Sequence, residues 1–255
     1  MSRIETTFKS IQDKNKKALI TYIVAGDPSH EQSLKAMHDC VLGGADILEI
    51  GMPFTDPMAD GPIIQEAHLR ALANGASLKT TLDLISKFRQ DNKNTPIILM
   101  GYANPINAYK IDKFFEDAKN AGIDGVLIVD VPPEEDEEWV LHARKNEIDF
   151  IRLATPTTDE NRLKKILKNA SGFLYYVSIA GITGAATSNA DAIKDHVSFI
   201  RSQTILPVAI GFGIQTRHDA VKMSKLADGI VVGSALIKAL HDKQPIIQTV
   251  KEFRI

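Results

Sequence analysis

The chain has 255 residues, of which 44% are hydrophobic and 24% are charged, as expected for a globular protein with a large core. The formal net charge of −2 argues against a nucleic-acid or anionic-membrane binder, because such proteins present a basic surface. The one cysteine, Cys40, excludes an intrachain disulfide and favours a reducing compartment.

The first predicted element is an N-terminal helix, because Ile4, Phe8 and Ile11 recur at helical spacing. This segment lacks the apolar core of a signal peptide, and no apolar run approaches the ~18 residues that span a bilayer. We therefore expect a cytoplasmic protein.

Short apolar strands then alternate with helical patterns to the end of the chain. Strand–helix alternation implies parallel strands with right-handed crossovers, and eight such units favour a closed (β/α)8 TIM barrel over an open sheet. We predict a single domain over residues 1–255, in the α/β class. The predicted strands are Leu19–Val24, Ile47–Gly51, Ile97–Met100, Gly125–Val129, Phe150–Leu153, Phe173–Val177, Pro207–Ile210 and Gly229–Val232.

The connection after the second strand predicts an additional helix, because Ile63–Ala73 and Leu78–Phe88 both show helical patterns on either side of Asn74 and Gly75. Farther along, the acidic run Glu134–Glu138 follows two prolines. Prolines and acids both suit the first turn of a helix, so this run is interpreted as a helix start.

The segment from Asp46 to Gln65 places two carboxylates, Glu49 and Asp60, around one strand-to-helix turn. Glu49 projects from the middle of an apolar strand, where ionisation is costly and a raised pKa would suit a general acid or base near neutral pH. The intervening loop carries Pro53 and Pro57, with Pro62 just beyond it, and these prolines restrict where Asp60 can lie.

A structural alternative remains open at this point, in which Glu49 forms an ion pair and Asp60 caps the next helix. However, Glu49 falls near the C-terminal end of the second predicted strand and Asp60 lies in the loop that follows it, and active sites of such barrels lie at that end. This placement favours a catalytic pair.

Glycine-rich loops follow the sixth, seventh and eighth predicted strands and predict a phosphate site. Backbone N–H groups and a helix N-terminus commonly bind phosphate at this end of a barrel, and glycine lets the backbone approach the anion. These loops lack lysine, so backbone dipoles would hold the anion. They are Gly181–Gly184, Gly211–Ile214 and Gly233–Ala235.

The remaining signals are weaker. Seven aromatic and apolar residues at strand ends could line a pocket for a flat aromatic ring, although each alone is more often core: Tyr22, Met100, Leu127, Val129, Leu153, Tyr175 and Phe212. The seven histidines show no metal-ligand spacing, so we predict no metal site and interpret them as surface or hydrogen-bonded residues.

Segments along the whole chain, in order, are similar to those of one known family. The sequence resembles the α subunit of tryptophan synthase, and its second-strand segment is specific because generic phosphate barrels lack the PF-x-DP-x-ADGP pattern. The matching segments are TYIVAGDP (21–28), DILEIGMPFTDPMADGPIIQ (46–65), LMGYANP (99–105), DGVLIVDVP (124–132), YYVSIAGITG (175–184), IGFGI (210–214) and VVGSALI (231–237).

The resemblance implies retro-aldol cleavage of indole-3-glycerol phosphate to indole and glyceraldehyde 3-phosphate. By resemblance, Glu49 is the general acid/base and Asp60 accepts a hydrogen bond from the indole N–H. Thr183 would help close the sixth-strand loop over the site. The phosphate would be held by Gly184, Gly213, Gly233 and Ser234.

The family works as an αββα complex in which indole passes to a β subunit that uses pyridoxal phosphate. The resemblance therefore implies no cofactor in this chain and a partner-facing loop around Asp56 and Pro57. Two positions depart from the family pattern. Tyr22 replaces a phenylalanine of other members, and Ile179 stands where some members carry an arginine that helps hold the closed loop.

Two alternatives compete with this interpretation. One is another phosphate-binding barrel enzyme, which would lack the ADGP loop. The other is a non-catalytic subunit that only activates a β partner, but such a subunit has little reason to keep a buried carboxylate.

Overall fold

The computed structural model describes residues 1–177, 190–211 and 213–255, with only the backbone described for Ala190 and Asp191. Within these ranges the chain forms nine short strands, all parallel to their neighbours. They are β1 (Ala18–Val24), β2 (Ile47–Gly51), β3 (Ile97–Gly101), β4 (Gly125–Ile128), β5 (Asp149–Phe150), β6 (Arg152–Ala154), β7 (Leu174–Val177), β8 (Val208–Gly211) and β9 (Gly229–Val232).

The strand order β5-β4-β3-β2-β1-β9-β8-β7-β6 describes a nearly closed barrel, which confirms the predicted architecture. The fifth predicted strand is in fact two short pieces, since β5 pairs only with β4 and β6 only with β7. Ile151 lies between the pieces and still donates its N–H to Val126 O at 2.9 Å, so the chain stays alongside β4. The two pieces together occupy the place of one barrel strand.

Twelve helices accompany these strands in the described ranges, including the predicted N-terminal helix and the additional helix after β2. They are α1 (Arg3–Asp13), α2 (His30–Gly43), α3 (Pro62–Ala73), α4 (Leu78–Asp91), α5 (Ala103–Tyr109), α6 (Ile111–Ala121), α7 (Glu137–Lys145), α8 (Glu160–Lys168), α9 (Ala190–Gln203), α10 (Arg217–Ser224), α11 (Ser234–His241) and α12 (Ile246–Phe253). None of the described helices is long and apolar enough to cross a membrane.

The acidic run at 134–138 is only partly a helix start. Helix α7 begins at Glu137, so Glu134 and Asp136 lie before it. Cationic partners decide their positions: Glu134 accepts hydrogen bonds from Arg162 and Lys165, and Asp136 forms a buried ion pair with Arg152. These partners come from later elements, which local helix signals do not reveal.

Helix α1 packs beneath the barrel, at the end where the strands begin. A methyl group placed on Gly125, the first residue of β4, would lie 3.1 Å from Ile4 Cδ1. Ile4, Phe8 and Ile11 are all buried, as their helical spacing predicts. Because this end is covered, the opposite end, where the strands finish, is the one that can admit a small molecule.

Candidate active site

Glu49 lies in the middle of β2, opposite Tyr22 of β1 and Ile98 of β3 in the register of the sheet. Only 1% of the residue is exposed, and no described residue donates a hydrogen bond to either carboxyl oxygen. Burial, and after it the negative charge of Asp60, raises the pKa of Glu49 from 4.5 to about 8. At neutral pH Glu49 is therefore a carboxylic acid that can give up a proton.

Asp60 lies at the end of the loop between β2 and α3, and its carboxylate is buried. The loop folds on itself, because Asp60 N donates to Pro57 O at 3.0 Å. Tyr102, which follows β3, donates its hydroxyl to Asp60 Oδ2 at 2.7 Å and accepts the N–H of Ala59 at 3.1 Å. These bonds fix the carboxylate in one orientation beside the end of β2.

Two tyrosines stand in the electric field of both carboxylates. Burial raises the pKa of Tyr22 and of Tyr175 well above the usual value, and the charges of Glu49 and Asp60 add to this effect in each case. Tyr175 belongs to β7, so the carboxylates on β2 and its loop face a residue from a distant strand of the barrel. The four groups therefore share one buried space.

The other predicted pocket residues divide into two sets. Met100 and Leu127 are buried in β3 and β4, where they are paired in the register of the sheet. Val129 and Leu153 line a cavity of about 550 Å³ at the ends of β4 and β6, together with polar residues such as Thr155. Glu49 and Asp60 are absent from the lining of this cavity, so the cavity does not contain them.

The predicted phosphate loops are described only in part. Gly213 has a left-handed φ of +77° and follows β8, while Gly233 follows the adjacent strand β9 and precedes α11. No side chain in the described part of the chain caps this helix, and the first amides of any helix lack intrahelical acceptors, so the Ser234 end can receive an anion. The loop Gly181–Gly184, which includes Thr183 and Gly184, lies outside the described residues, as do Ile179 and Phe212.

In the predicted partner-facing loop, the side chain of Asp56 is exposed and that of Pro57 is buried. Met58, next in the chain, is 73% exposed. The side chains of Asp56 and Met58 are therefore accessible to a partner at this point of the loop.

Two residues of this site, Tyr102 and His68, were not predicted from the sequence. Tyr102 holds Asp60, and His68 of α3 is buried with Nε2 at 3.4 Å from Asp60 Oδ2. Tyr102 stands two residues after the end of the predicted strand Ile97–Met100, a position that could have drawn attention to it. His68 gives no comparable signal, because its contact depends on how α3 packs over the loop.

Within the described ranges, no three histidine, cysteine or acidic side chains cluster as metal ligands would. The fold and site together define a TIM-barrel enzyme with a buried glutamate of raised pKa in its second strand and an oriented aspartate in the loop that follows.

Comparisons with known proteins identify the family. The sequence model of the tryptophan synthase alpha chain matches residues 8–254. The tryptophan synthase subunit alpha of Legionella pneumophila str. Paris is 39% identical, with a TM-score of 0.91 over 99% of this chain and 98% of that one. A protein of Aquifex aeolicus VF5 is 38% identical, with a TM-score of 0.91 over 100% and 99% of the two chains.

A chain of tryptophan synthase from M. tuberculosis, in an open form with BRD0059 bound, is 31% identical. Its TM-score is 0.90 over 99% of this chain and 97% of that one. The protein belongs to the tryptophan synthase α-chain family. It acts in tryptophan biosynthesis as a lyase that cleaves indole-3-glycerol phosphate to indole and glyceraldehyde 3-phosphate. The family implies no cofactor in this chain.

Proposed function

We propose that Glu49 carries the protons of this cleavage. The reaction needs a proton delivered to the indole carbon that bears the side chain, and then a proton removed from the adjacent hydroxyl so that the carbon–carbon bond breaks. A buried carboxylic acid with a pKa of about 8 suits that order, since it gives its proton first and takes one back as a carboxylate. Glu49 then ends the cycle protonated, as it began.

Asp60 has a different task in this proposal. When the indole carbon is protonated, positive charge grows on the ring nitrogen, and a carboxylate that accepts the ring N–H stabilises that charge. The hydrogen bond from Tyr102 holds Asp60 Oδ2, and no described residue donates to its Oδ1. Oδ1 is therefore the oxygen that we assign to the substrate.

We propose that the indole ring lies among Tyr22, Met100, Leu127, Val129, Leu153, Tyr175 and Phe212. Backbone amides around Gly184, Gly213, Gly233 and Ser234 would hold the phosphate, with Thr183 in the loop that covers the site. Phosphate binding at a distance from the reacting bond keeps the substrate in position for proton transfer.

The partner that we propose is a tryptophan synthase β subunit in an αββα complex, with pyridoxal phosphate in the β chain. The loop around Asp56 and Pro57 would meet it. Asp56 and Met58 are exposed there, in the same loop that carries Asp60. We further propose a cytoplasmic location, which the single, buried Cys40 favours.

We also propose that residues 1–255 fold as one domain. The barrel order interleaves early and late strands, since β1 pairs with both β2 and β9. Neither half of the chain could complete the ring of strands by itself.

Indole release from indole-3-glycerol phosphate, measured with and without a β subunit, tests the role of Glu49. Glu49→Gln keeps the size of the side chain but cannot exchange the proton, so we expect indole release to fall at least 10²-fold, while activation of the β partner persists. Glu116→Gln, an exposed change on α6, is the matched control and should leave both unchanged.

Two results would speak against this assignment. Indole release by Glu49→Gln at the native rate would show that another group carries the proton. Equal loss of indole release and partner activation would indicate a general structural effect instead.

A further inference from the structure

His68 is a buried histidine with three polar neighbours, and only 1% of it is exposed. The backbone N–H of Phe54 donates to its Nδ1 at 3.3 Å. On the other side of the ring, Nε2 lies 3.4 Å from Asp60 Oδ2 and 3.5 Å from the Tyr22 hydroxyl. The imidazole thus lies between the β2–α3 loop and the carboxylate at the end of that loop.

The contact with Phe54 decides where the proton of this ring resides. An N–H group that points at Nδ1 requires a lone pair there, and a neutral imidazole has one lone pair and one N–H. Nε2 is therefore the protonated nitrogen. Its hydrogen-bond partner is the Tyr22 hydroxyl oxygen at 3.5 Å, and the carboxylate oxygen Asp60 Oδ2 lies 3.4 Å from the same nitrogen. A carboxylate is the stronger acceptor of these two oxygens.

We propose that His68 is a positioning residue for Asp60, which directs its Nε2–H towards Oδ2 and thereby leaves Oδ1 free for the ring N–H of the substrate. This inference rests on the role proposed above for Asp60. Tyr102 approaches the same oxygen, so two elements, α3 and the end of β3, hold the carboxylate from different directions.

The same arrangement explains the hydroxyl that Tyr22 adds to an otherwise apolar pocket. A buried hydroxyl without a partner is costly, and the Nε2–H of His68 supplies one at 3.5 Å. Tyr22 and Asp60 therefore both lie within 3.5 Å of the same ring nitrogen of His68.

Two substitutions of His68 separate a positioning role from a packing role. His68→Leu removes all three polar contacts of the ring, whereas His68→Gln can place an amide N–H near the present position of Nε2. Asp60→Asn is the reference for loss of the carboxylate, and His218→Leu, an exposed position, is the control for loss of a histidine.

The quantities measured are kcat and KM for indole release, together with Tm. Because Asp60 acts as charge develops, we expect His68→Leu to lower kcat about tenfold to thirtyfold with KM changed less than about threefold. His68→Gln should recover kcat to within about threefold of the native value, since it restores a donor to Oδ2.

Three outcomes overturn the proposal in different ways. Native kcat in His68→Leu, with Asp60→Asn impaired, would remove His68 from the mechanism and leave the role of Asp60 intact. Equal losses in His68→Leu and His68→Gln would show that the ring acts by packing. Native activity in Asp60→Asn would overturn the proposed role of Asp60 and this inference with it.

A spectroscopic measurement tests the proton position without any activity and also serves if His68→Leu fails to fold. In a long-range ¹H–¹⁵N spectrum of labelled protein, with His68 assigned through His68→Gln, we expect a protonated Nε2 and an unprotonated Nδ1. Asp60→Asn should shift the Nε2 signal. A protonated Nδ1 would contradict the proposal.

Discussion

At the scale of single residues, the two carboxylates of the site differ in what surrounds them. Among the described residues Glu49 has no hydrogen-bond donor at all, while Asp60 receives the hydroxyl of Tyr102. Burial without a donor favours the neutral acid, whereas a donated hydrogen bond favours the anion. These different surroundings suit the two carboxyl groups to the different tasks that we propose for them, proton donation by Glu49 and charge stabilisation by Asp60.

Gly51 shows how closely the residues of this site are packed. A methyl group at this position, the last of β2, would lie 2.3 Å from the hydroxyl oxygen of Tyr22. Tyr22 can therefore occupy its place only because the neighbouring strand ends in glycine.

We predict that Gly51→Ala displaces the Tyr22 ring and costs about 1–3 kcal/mol of unfolding free energy, the usual effect of overpacking a buried site. KM for the indole substrate should rise as well. Gly61→Ala is the control, because a methyl group there meets nothing within 4 Å. Chemical denaturation and steady-state kinetics measure both effects, and equal stability of the two variants would contradict the prediction.

At the scale of elements, the same aspartate–arginine interaction recurs at three places where strands begin. Asp46, Asp124 and Asp228 each stand directly before a strand and accept the N–H of the neighbouring strand's early residues, at 2.8, 2.8 and 3.0 Å. Each also pairs with at least one arginine. A carboxylate thus ties adjacent strands together at three points around the barrel.

Of these three aspartates, Asp124 is the most buried, and its carboxylate binds both Arg3 and Arg89 at 2.7 Å. Burial lowers the pKa of Arg89 to about 10, and the charge of Asp124 opposes this change. Loss of the carboxylate would therefore leave a largely buried guanidinium without its anion.

We predict that Asp124→Asn lowers the free energy of unfolding by about 3 kcal/mol, as expected when a mostly buried ion pair loses one partner. Asp228→Asn, where the carboxylate and its arginine are more exposed, should cost only about 1 kcal/mol. Denaturation in urea measures both. A larger loss at Asp228 than at Asp124 would contradict the importance assigned to burial.

Most elements of the barrel could be predicted from sequence because each strand is a short apolar run and each major helix has a stripe of apolar residues. The errors arise at a proline that can be interpreted in two ways and at places where contacts with distant elements determine the bounds of a strand or helix. Helix α5 was not predicted from the sequence. It begins at Ala103, two residues before Pro105, and proline is a common loop signal although it also fits a first helical turn. The break at Ile151 and the late start of α7 depend on partners in other elements.

The site follows the same rule. Glu49 and Asp60 could be found because an acid in an apolar strand and an acid in a proline-restricted loop are local signals. Tyr102 and His68 could not, since their contacts with Asp60 join the loop to the end of β3 and to α3. Local sequence indicates the two carboxylates that we propose as the reacting groups, whereas only the packing of the fold reveals the residues that contact Asp60.

At the scale of the whole molecule, the raised pKa of Glu49 makes the stability of the fold depend on pH. Its folded-state pKa of about 8 lies above the ordinary value of 4.5, so between these values the folded protein binds the proton more strongly than the unfolded chain does. The stabilisation that comes from this stronger proton binding is fully present below pH 4.5 and is lost as the pH rises towards about 8.

We predict that Glu49→Gln removes this dependence. Between about pH 5 and pH 8, the unfolding free energy of the native protein should fall relative to the variant by about 1.4 kcal/mol per pH unit. Urea denaturation of both proteins across this range measures the difference. Parallel curves for the two proteins would mean that Glu49 titrates normally in the folded state.

The central claim is that Glu49 works as an acid held protonated by its surroundings. The most direct test is the pH dependence of kcat/KM for indole release, from about pH 6 to pH 10, because this ratio reports the essential groups of the free enzyme. We predict a plateau that turns down near pH 8 and then falls about tenfold per pH unit, as Glu49 loses its proton. A kcat/KM that rises through pH 8 would show that the resting enzyme needs a base, and would contradict the account.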